Sequence, residues 1–158
     1  MEYCKNYGNV TNKMINGIIT IGGLVAYPTQ NHQIKYCENY GDVTSATVHT
    51  GSSGIGGLFG GKGNVAITSY EGCAANCKVT APEGSTSVGI LMGYCAGQSG
   101  RTIVMGSETD PIKVAGIITV GDKSTELTEE NYKNYLYGSA LSAADLTIYS
   151  AYNTANKK

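Results

Sequence analysis

The chain has 158 residues, 41% of them hydrophobic and 15% charged, with a net charge of -1. That length suits one domain or a short run of repeats, and the sparse, balanced charge leaves no basic face for nucleic acid and no charge run for an anionic membrane surface. The 22 glycines, the 12 tyrosines beside one Phe and no Trp, and the single arginine, Arg101, favour short strands with tight corners and weaken any site that needs a planar bidentate clamp.

The N-terminus, Met1-Glu2-Tyr3-Cys4, has neither a basic n-region nor an apolar h-region. Nowhere is there an apolar run of about 18 residues, so membrane insertion through a helix is not expected. The first organised element is a repeat. Tyr3-Cys4-Lys5-Asn6-Tyr7-Gly8-Asn9-Val10-Thr11 returns 33 residues on as Tyr36-Cys37-Glu38-Asn39-Tyr40-Gly41-Asp42-Val43-Thr44. A weaker third copy begins near residue 70, with Cys73, Val79 and Thr80 in register. A second motif follows each copy: Gly22-Gly23-Leu24-Val25-Ala26, then Gly56-Gly57-Leu58-Phe59-Gly60, then Gly89-Ile90-Leu91-Met92-Gly93. Two independent motifs with one period mark a repeat architecture.

Each unit holds β-prone pieces too short to stand alone. Stacked in parallel at one strand spacing, each pairs with its copy in the next unit. This predicts an all-β fold, a parallel β-helix (solenoid) over residues 1–120, with coils starting near 3, 36 and 70. Cys4, Cys37 and Cys73 would form one ladder, Val10, Val43 and Val79 another, and Asn6 and Asn39 an amide ladder. Tyr7 and Tyr40 would stack. Gly8 and Gly41 are expected at corners of positive φ, and 12–16 and 45–53 as loops bulging from the coil. Helical repeats of similar period conflict with the glycine doublets; a sandwich or a propeller-like fragment is the remaining alternative. Residues 112–120 suit one or two last strands. Residues 121–158 are expected to form a C-terminal cap with a short helix over about 129–137: Thr128 at its start, Glu129 and Glu130 in its first turn, Tyr132, Tyr135 and Leu136 on one face, and Gly138 at its stop. The first repeat begins at Tyr3 with no cap. The chain therefore reads as the C-terminal fragment of a longer protein, and its bare first coil as an edge for self-association.

Gly23-Leu24-Val25-Ala26, Gly57-Leu58-Phe59-Gly60 and Gly89-Ile90-Leu91-Met92-Gly93 resemble GLUG motifs. The Cys-x-Asn-Tyr-Gly-Asn/Asp-Val-Thr segments are similar to those that accompany such motifs in surface proteins of gut Bacteroidetes and Firmicutes. The segment 127–138 looks like the end of such proteins. The first copy has Ala26 in place of a glycine, and the third reads as one residue too long. The resemblance covers about residues 3–95. It implies a secreted or bacterial cell-surface location and a family that includes adhesins and the non-catalytic region of immunoglobulin-A-specific metallopeptidases. It carries over no catalytic residue.

No zinc helix, phosphate loop, dinucleotide fingerprint or nucleophile elbow occurs. The five cysteines, Cys4, Cys37, Cys73, Cys77 and Cys95, are odd in number, and His32 and His49 stand alone, so reduced, buried thiols are expected rather than a metal site. No cofactor and no catalytic residue is expected. A polysaccharide-cleaving site would need paired carboxylates; Glu38, Asp42 and Glu71, with Lys62 or Arg101 as the basic partner, are the candidates for one face. The favoured class is a non-catalytic repeat domain in adhesion, binding a host or dietary glycan or a surface protein through Tyr7, Tyr40, Asn9 and Asp42, because Tyr offers a flat ring with a polar tip and Asn meets hydroxyls. The alternative is a structural stalk.

Overall fold

The computed structural model describes residues 1–28, 33–62, 70–96, 102–141 and 145–156. The fold is the expected one: all-β, with parallel strands wound into about three turns of a β-solenoid. The first wall stacks β1 (Lys5–Asn6), β4 (Glu38–Asn39), the first half of β8 (Ala74–Ala81), the first half of β12 (Ile112–Val120) and β16 (Ser150–Tyr152). The second stacks β2 (Val10–Asn12), β5 (Val43–Ser45) and the second halves of β8 and β12. The third stacks β3 (Thr20–Gly22), β6 (Gly54–Gly56) and β9 (Val88–Gly89). The fourth stacks β7 (Phe59–Lys62), β10 (Met92–Ala96) and β14 (Tyr137–Leu141). The fifth pairs β11 (Thr102–Met105) with β15 (Asp145–Ile148).

Parallel pairing without slippage places each residue over its copy. Val10, Val43, Val79 and Ile118 form one interior column. Cys37 and Cys73 share another with Cys4, their thiols donating to the carbonyls of Lys35 and Ile34 at 3.3 Å. The amide ladder forms: Asn6 Nδ2 donates to Asn39 Oδ1 at 2.8 Å. These amides also cross the coil, Asn6 Nδ2 reaching the Gly23 carbonyl at 3.1 Å and Asn39 Nδ2 the Gly57 carbonyl at 2.8 Å.

The two repeated motifs are therefore two sides of one contact. A Cβ on Gly23 would lie 2.1 Å from Asn39 Nδ2, and one on Gly57 would lie 2.9 Å from Cys77 Sγ. In the third coil Ala75 stands in register with Asn39, and Ile90 occupies the place of Gly57, between the pairs Gly56↔Gly89 and Phe59↔Met92. A small residue replaces a large one on one wall while a large residue replaces a small one opposite. The third motif is thus a substituted copy and not a lengthened one.

Corners differ from expectation. Neither Gly8 nor Gly41 has positive φ; that conformation falls at Tyr3 (φ 55), Tyr36 (φ 53) and Gly72 (φ 61), each one residue before the ladder cysteine. Bulky side chains rarely adopt it. Here the Tyr3 and Tyr36 rings stack at 5.1 Å, and the Tyr36 ring lies where a Gly72 Cβ would be, 2.4 Å away. Gly41 is required for close approach instead, since its Cβ would meet the Gly8 carbonyl oxygen at 2.0 Å. Nor does the segment 45–53 bulge from the coil: Ser45 ends β5. Thr47, His49 and Ser53 are buried, because side-chain hydroxyls and the Asn12 amide bridge neighbouring coils there.

The expected helix over 129–137 is a single 3-10 turn, Tyr132–Tyr135. Asn131 Oδ1 is spent on the Thr128 N–H, so the turn has no side-chain cap. The carbonyls of Tyr135 and Leu136 accept N–H bonds from Ile90, Leu91 and Met92 below them. Those inter-coil bonds outweigh the few that a short, costly helix nucleus would gain. Tyr135-Leu136-Tyr137-Gly138 thereby acts as a fourth copy of the glycine-leucine motif, continuing a column of Leu24, Leu58, Leu91 and Leu136. Residues after 120, expected as a cap, contribute β13 (Lys123–Glu126), antiparallel to β12, and then β14, β15 and β16, parallel on β10, β11 and β12.

The exchange of Asn39–Gly57 for Ala75–Ile90 predicts coupling. Ala75→Asn overfills its site and Ile90→Gly empties one, each costing about 2 kcal/mol or more. In urea unfolding, the double variant should be more stable than the sum of the singles by about 1 kcal/mol or more. Simple additivity would show that the two positions do not share space.

Candidate functional site

The first and second walls form one outward face. Along β8, Ala75, Cys77, Val79 and Ala81 are buried, while Asn76, Lys78 and Thr80 are partly or fully exposed. By register, Tyr7, Tyr40 and Asn76 form one outer column, Asn9, Asp42 and Lys78 a second, and Thr11, Thr44 and Thr80 a third. All four residues singled out from sequence lie on this face.

They differ in what remains free. The Tyr7 and Tyr40 rings stack at 5.1 Å, 7° from parallel, each covering one face of the other. Tyr7 stays 70% exposed, whereas Tyr40 is half-buried and its hydroxyl donates to Glu38. Asn9 Oδ1 accepts the Asp42 N–H at 2.9 Å, and Asp42 Oδ1 accepts the Lys78 N–H at 2.9 Å. These two side chains tie each coil to the next. The other groups left outward on this face are Thr11, Thr44, Asn76, Lys78 and Thr80, which sequence reasoning missed. Their signal was the columnar register itself, weak in the third copy because β8 keeps only Cys73, Val79 and Thr80 of the motif.

The candidate carboxylates are also engaged. Glu38 pairs with Lys5 at 3.1 Å, and Glu71 with Lys35 at 2.9 Å. Burial pushes the Glu38 carboxyl up, but the hydrogen bonds from Tyr40 and Lys5 outweigh it and hold the carboxyl below its ordinary value. The hydrogen bond to Glu38 raises Lys5 and Tyr40 in turn. Arg101, His32 and the side chain of Lys62 lie outside the described residues.

None of the five cysteines is in a disulfide, and only Cys4 is exposed. Burial pushes the Cys73 thiol up to about 11 and Cys77 up to about 12, so both stay protonated and unreactive at neutral pH. Among the described residues, no three His, Cys, Asp or Glu side chains converge as a metal site. His49 is fully buried. Ser53 donates to the Ile19 carbonyl at 2.9 Å and sits 2.9 Å from His49 Nδ1, which makes Nδ1 the protonated nitrogen. His49 Nε2 has no hydrogen-bond partner among the described residues.

Comparison of the chain with protein-family models, with curated proteins and with solved structures finds no match.

His49 makes stability pH-dependent. Burial lowers its pKa below the ordinary value, so the unfolded chain takes up the proton first. The contribution is complete above the unfolded pKa of about 6.5 and is lost as pH falls from there towards the folded value, at no more than about 1.4 kcal/mol per pH unit. Urea unfolding between pH 8 and 5 should show this loss, and His49→Gln should remove it. An identical pH slope in the variant would contradict the assignment.

Proposed function

We propose that the chain is a non-catalytic repeat module of a secreted or bacterial cell-surface protein, working in adhesion, with the outward face of the first two walls meeting a glycan or a surface protein. The observation that carries this reading is one outward face that holds, in fixed columns, the exposed Tyr7 ring on the first coil, Thr44 on the second, and Asn76, Lys78 and Thr80 on the third. An apolar ring on a face that also carries hydroxyl and amide groups suits a sugar, and an ordered face lowers the entropy cost of binding. The location rests on the likeness of the repeats to GLUG-motif surface proteins. No helix among the described residues is long and apolar enough to cross a membrane. No basic patch favours a nucleic acid.

A second reading, a structural stalk, draws on a specific observation. Asn9 Oδ1, Asp42 Oδ1 and the Tyr40 hydroxyl are spent within the stack. In a stalk the outer face has no ligand, and the columns serve stiffness alone.

A glycan and mucin array separates the two. The adhesion reading expects reproducible binding that falls at least about tenfold in Tyr7→Ala and in Lys78→Ala. Circular dichroism should be unchanged, and the stability lost with the Tyr7 stack only about 1 kcal/mol. A blank array, or binding indifferent to both substitutions, would overturn it in favour of the stalk.

A further inference from the structure

We propose that a cleft between the 3-10 turn and the last corners of the third and fourth coils binds a small zwitterion with an apolar side chain, a ligand of the free amino-acid class. The inference does not rest on the adhesion reading, whose face lies on the first two walls. The turn after β11 gives the cleft Ser107, Glu108 and Pro111, and the turn from β15 into β16 gives it Ile148, Tyr149 and Ser150. Lys133 of the 3-10 turn and Leu136 just after it close the remaining side. The volume is about 450 Å³, within the range of about 300–1,000 Å³ usual for small-molecule sites.

Hydrogen bonds within the fold fix its walls. Ser107 N–H donates to the Asp110 carbonyl at 3.2 Å, and the Ser107 hydroxyl accepts the Asp110 N–H at 3.0 Å. Tyr149 N–H donates to the Met105 carbonyl and its own carbonyl accepts the Ile112 N–H, both at 2.9 Å. The buried Tyr132 donates its hydroxyl to the Ser150 carbonyl at 3.1 Å, which ties the 3-10 turn to the facing corner. The Leu136 carbonyl is held by the N–H groups of Leu91 and Met92. The cleft is therefore formed before a ligand arrives, and binding carries little cost of ordering its frame.

The charges choose the ligand. Glu108 and Lys133 are both exposed and reach the cleft from different elements. Neither makes an ion pair among the described residues, whereas Lys5 and Lys35 close theirs with Glu38 and Glu71 at 3.1 and 2.9 Å. A ligand that fills the cleft takes water from both groups. A cation alone would leave Lys133 desolvated and unmatched, and an anion alone would leave Glu108 so. A molecule with one ammonium and one carboxylate gives each group a charge-assisted hydrogen bond. Pro111, Leu136 and Ile148 supply hydrocarbon to the same cleft, which suits an apolar side chain on that molecule.

Isothermal titration calorimetry of the full chain with leucine and phenylalanine tests this. Isocaproate, which lacks the amine, and isopentylamine, which lacks the carboxylate, serve as one-charge probes. Leucine or phenylalanine should bind with a Kd of about 1 mM or tighter, and each one-charge probe at least about tenfold more weakly. Glu108→Gln and Lys133→Gln should each weaken amino-acid binding at least about tenfold, with circular dichroism unchanged, since both side chains are exposed. Lys123→Gln, on β13, should leave binding intact. No binding of either amino acid, equal binding of a one-charge probe, or affinity indifferent to both substitutions would overturn the proposal.

Discussion

The structure depends on one contact, the Asn39 amide reaching across a narrow coil to the Gly57 carbonyl on the opposite side. Asn39 is fully buried. Its Nδ2 also donates to the Gly41 carbonyl, and its Oδ1 accepts from Gly41 N–H and from Asn6. Every polar group of that side chain is thus used within the fold, which is the condition for burying an amide without penalty. The contact sets the width of the coil: a Cβ at position 23 or 57 would displace the side chains that face it. It also fixes the register, because a slip of one residue would turn every amide out of the core. Further along, Ala75 and Ile90, both fully buried, take these two places, and the stack continues through β8 and β12 without interruption.

This explains how much was legible beforehand. In a parallel in-register stack, neighbours in space are copies in sequence. The period of the repeat therefore announces both the fold and the ladders, and the Cys, Val, Asn and Tyr columns follow from it. The glycine doublets were legible as close approach, but their partner was not, since nothing local links Gly57 to Asn39 across 18 residues. The C-terminal segment misled for a physical reason. Tyr132, Tyr135 and Leu136 fit the face of a short helix equally well, and only the carbonyl demand of Ile90, Leu91 and Met92 decides that 135–138 joins the stack. The positive-φ corner was placed at glycine because glycine has no Cβ penalty. The molecule places it at Tyr3 and Tyr36, where ring stacking holds the strained backbone.

The candidate site was legible as a face more than as a set of residues. Tyr7, Tyr40, Asn9 and Asp42 do share one surface, but the repeat that made them conspicuous also gives them work inside the stack. Asn9 and Asp42 bond coil to coil, and the Tyr40 hydroxyl is taken by Glu38. Thr44 and Thr80, copies of Thr11, and the third-coil residues Asn76 and Lys78 are left outward on the same face, and the last two break the repeat, so a search for repetition passes over them.

Urea unfolding of Asn39→Ala beside Asn6→Ala tests the central contact most directly. Asn39→Ala strips four bonds from a buried site and leaves the Gly57 carbonyl unmet, so a loss of about 3 kcal/mol or more is predicted. Asn6→Ala, at the half-buried end of the ladder, should cost clearly less, about 1 kcal/mol. A loss below about 0.5 kcal/mol for Asn39→Ala, the range of an ordinary surface change, would contradict the account.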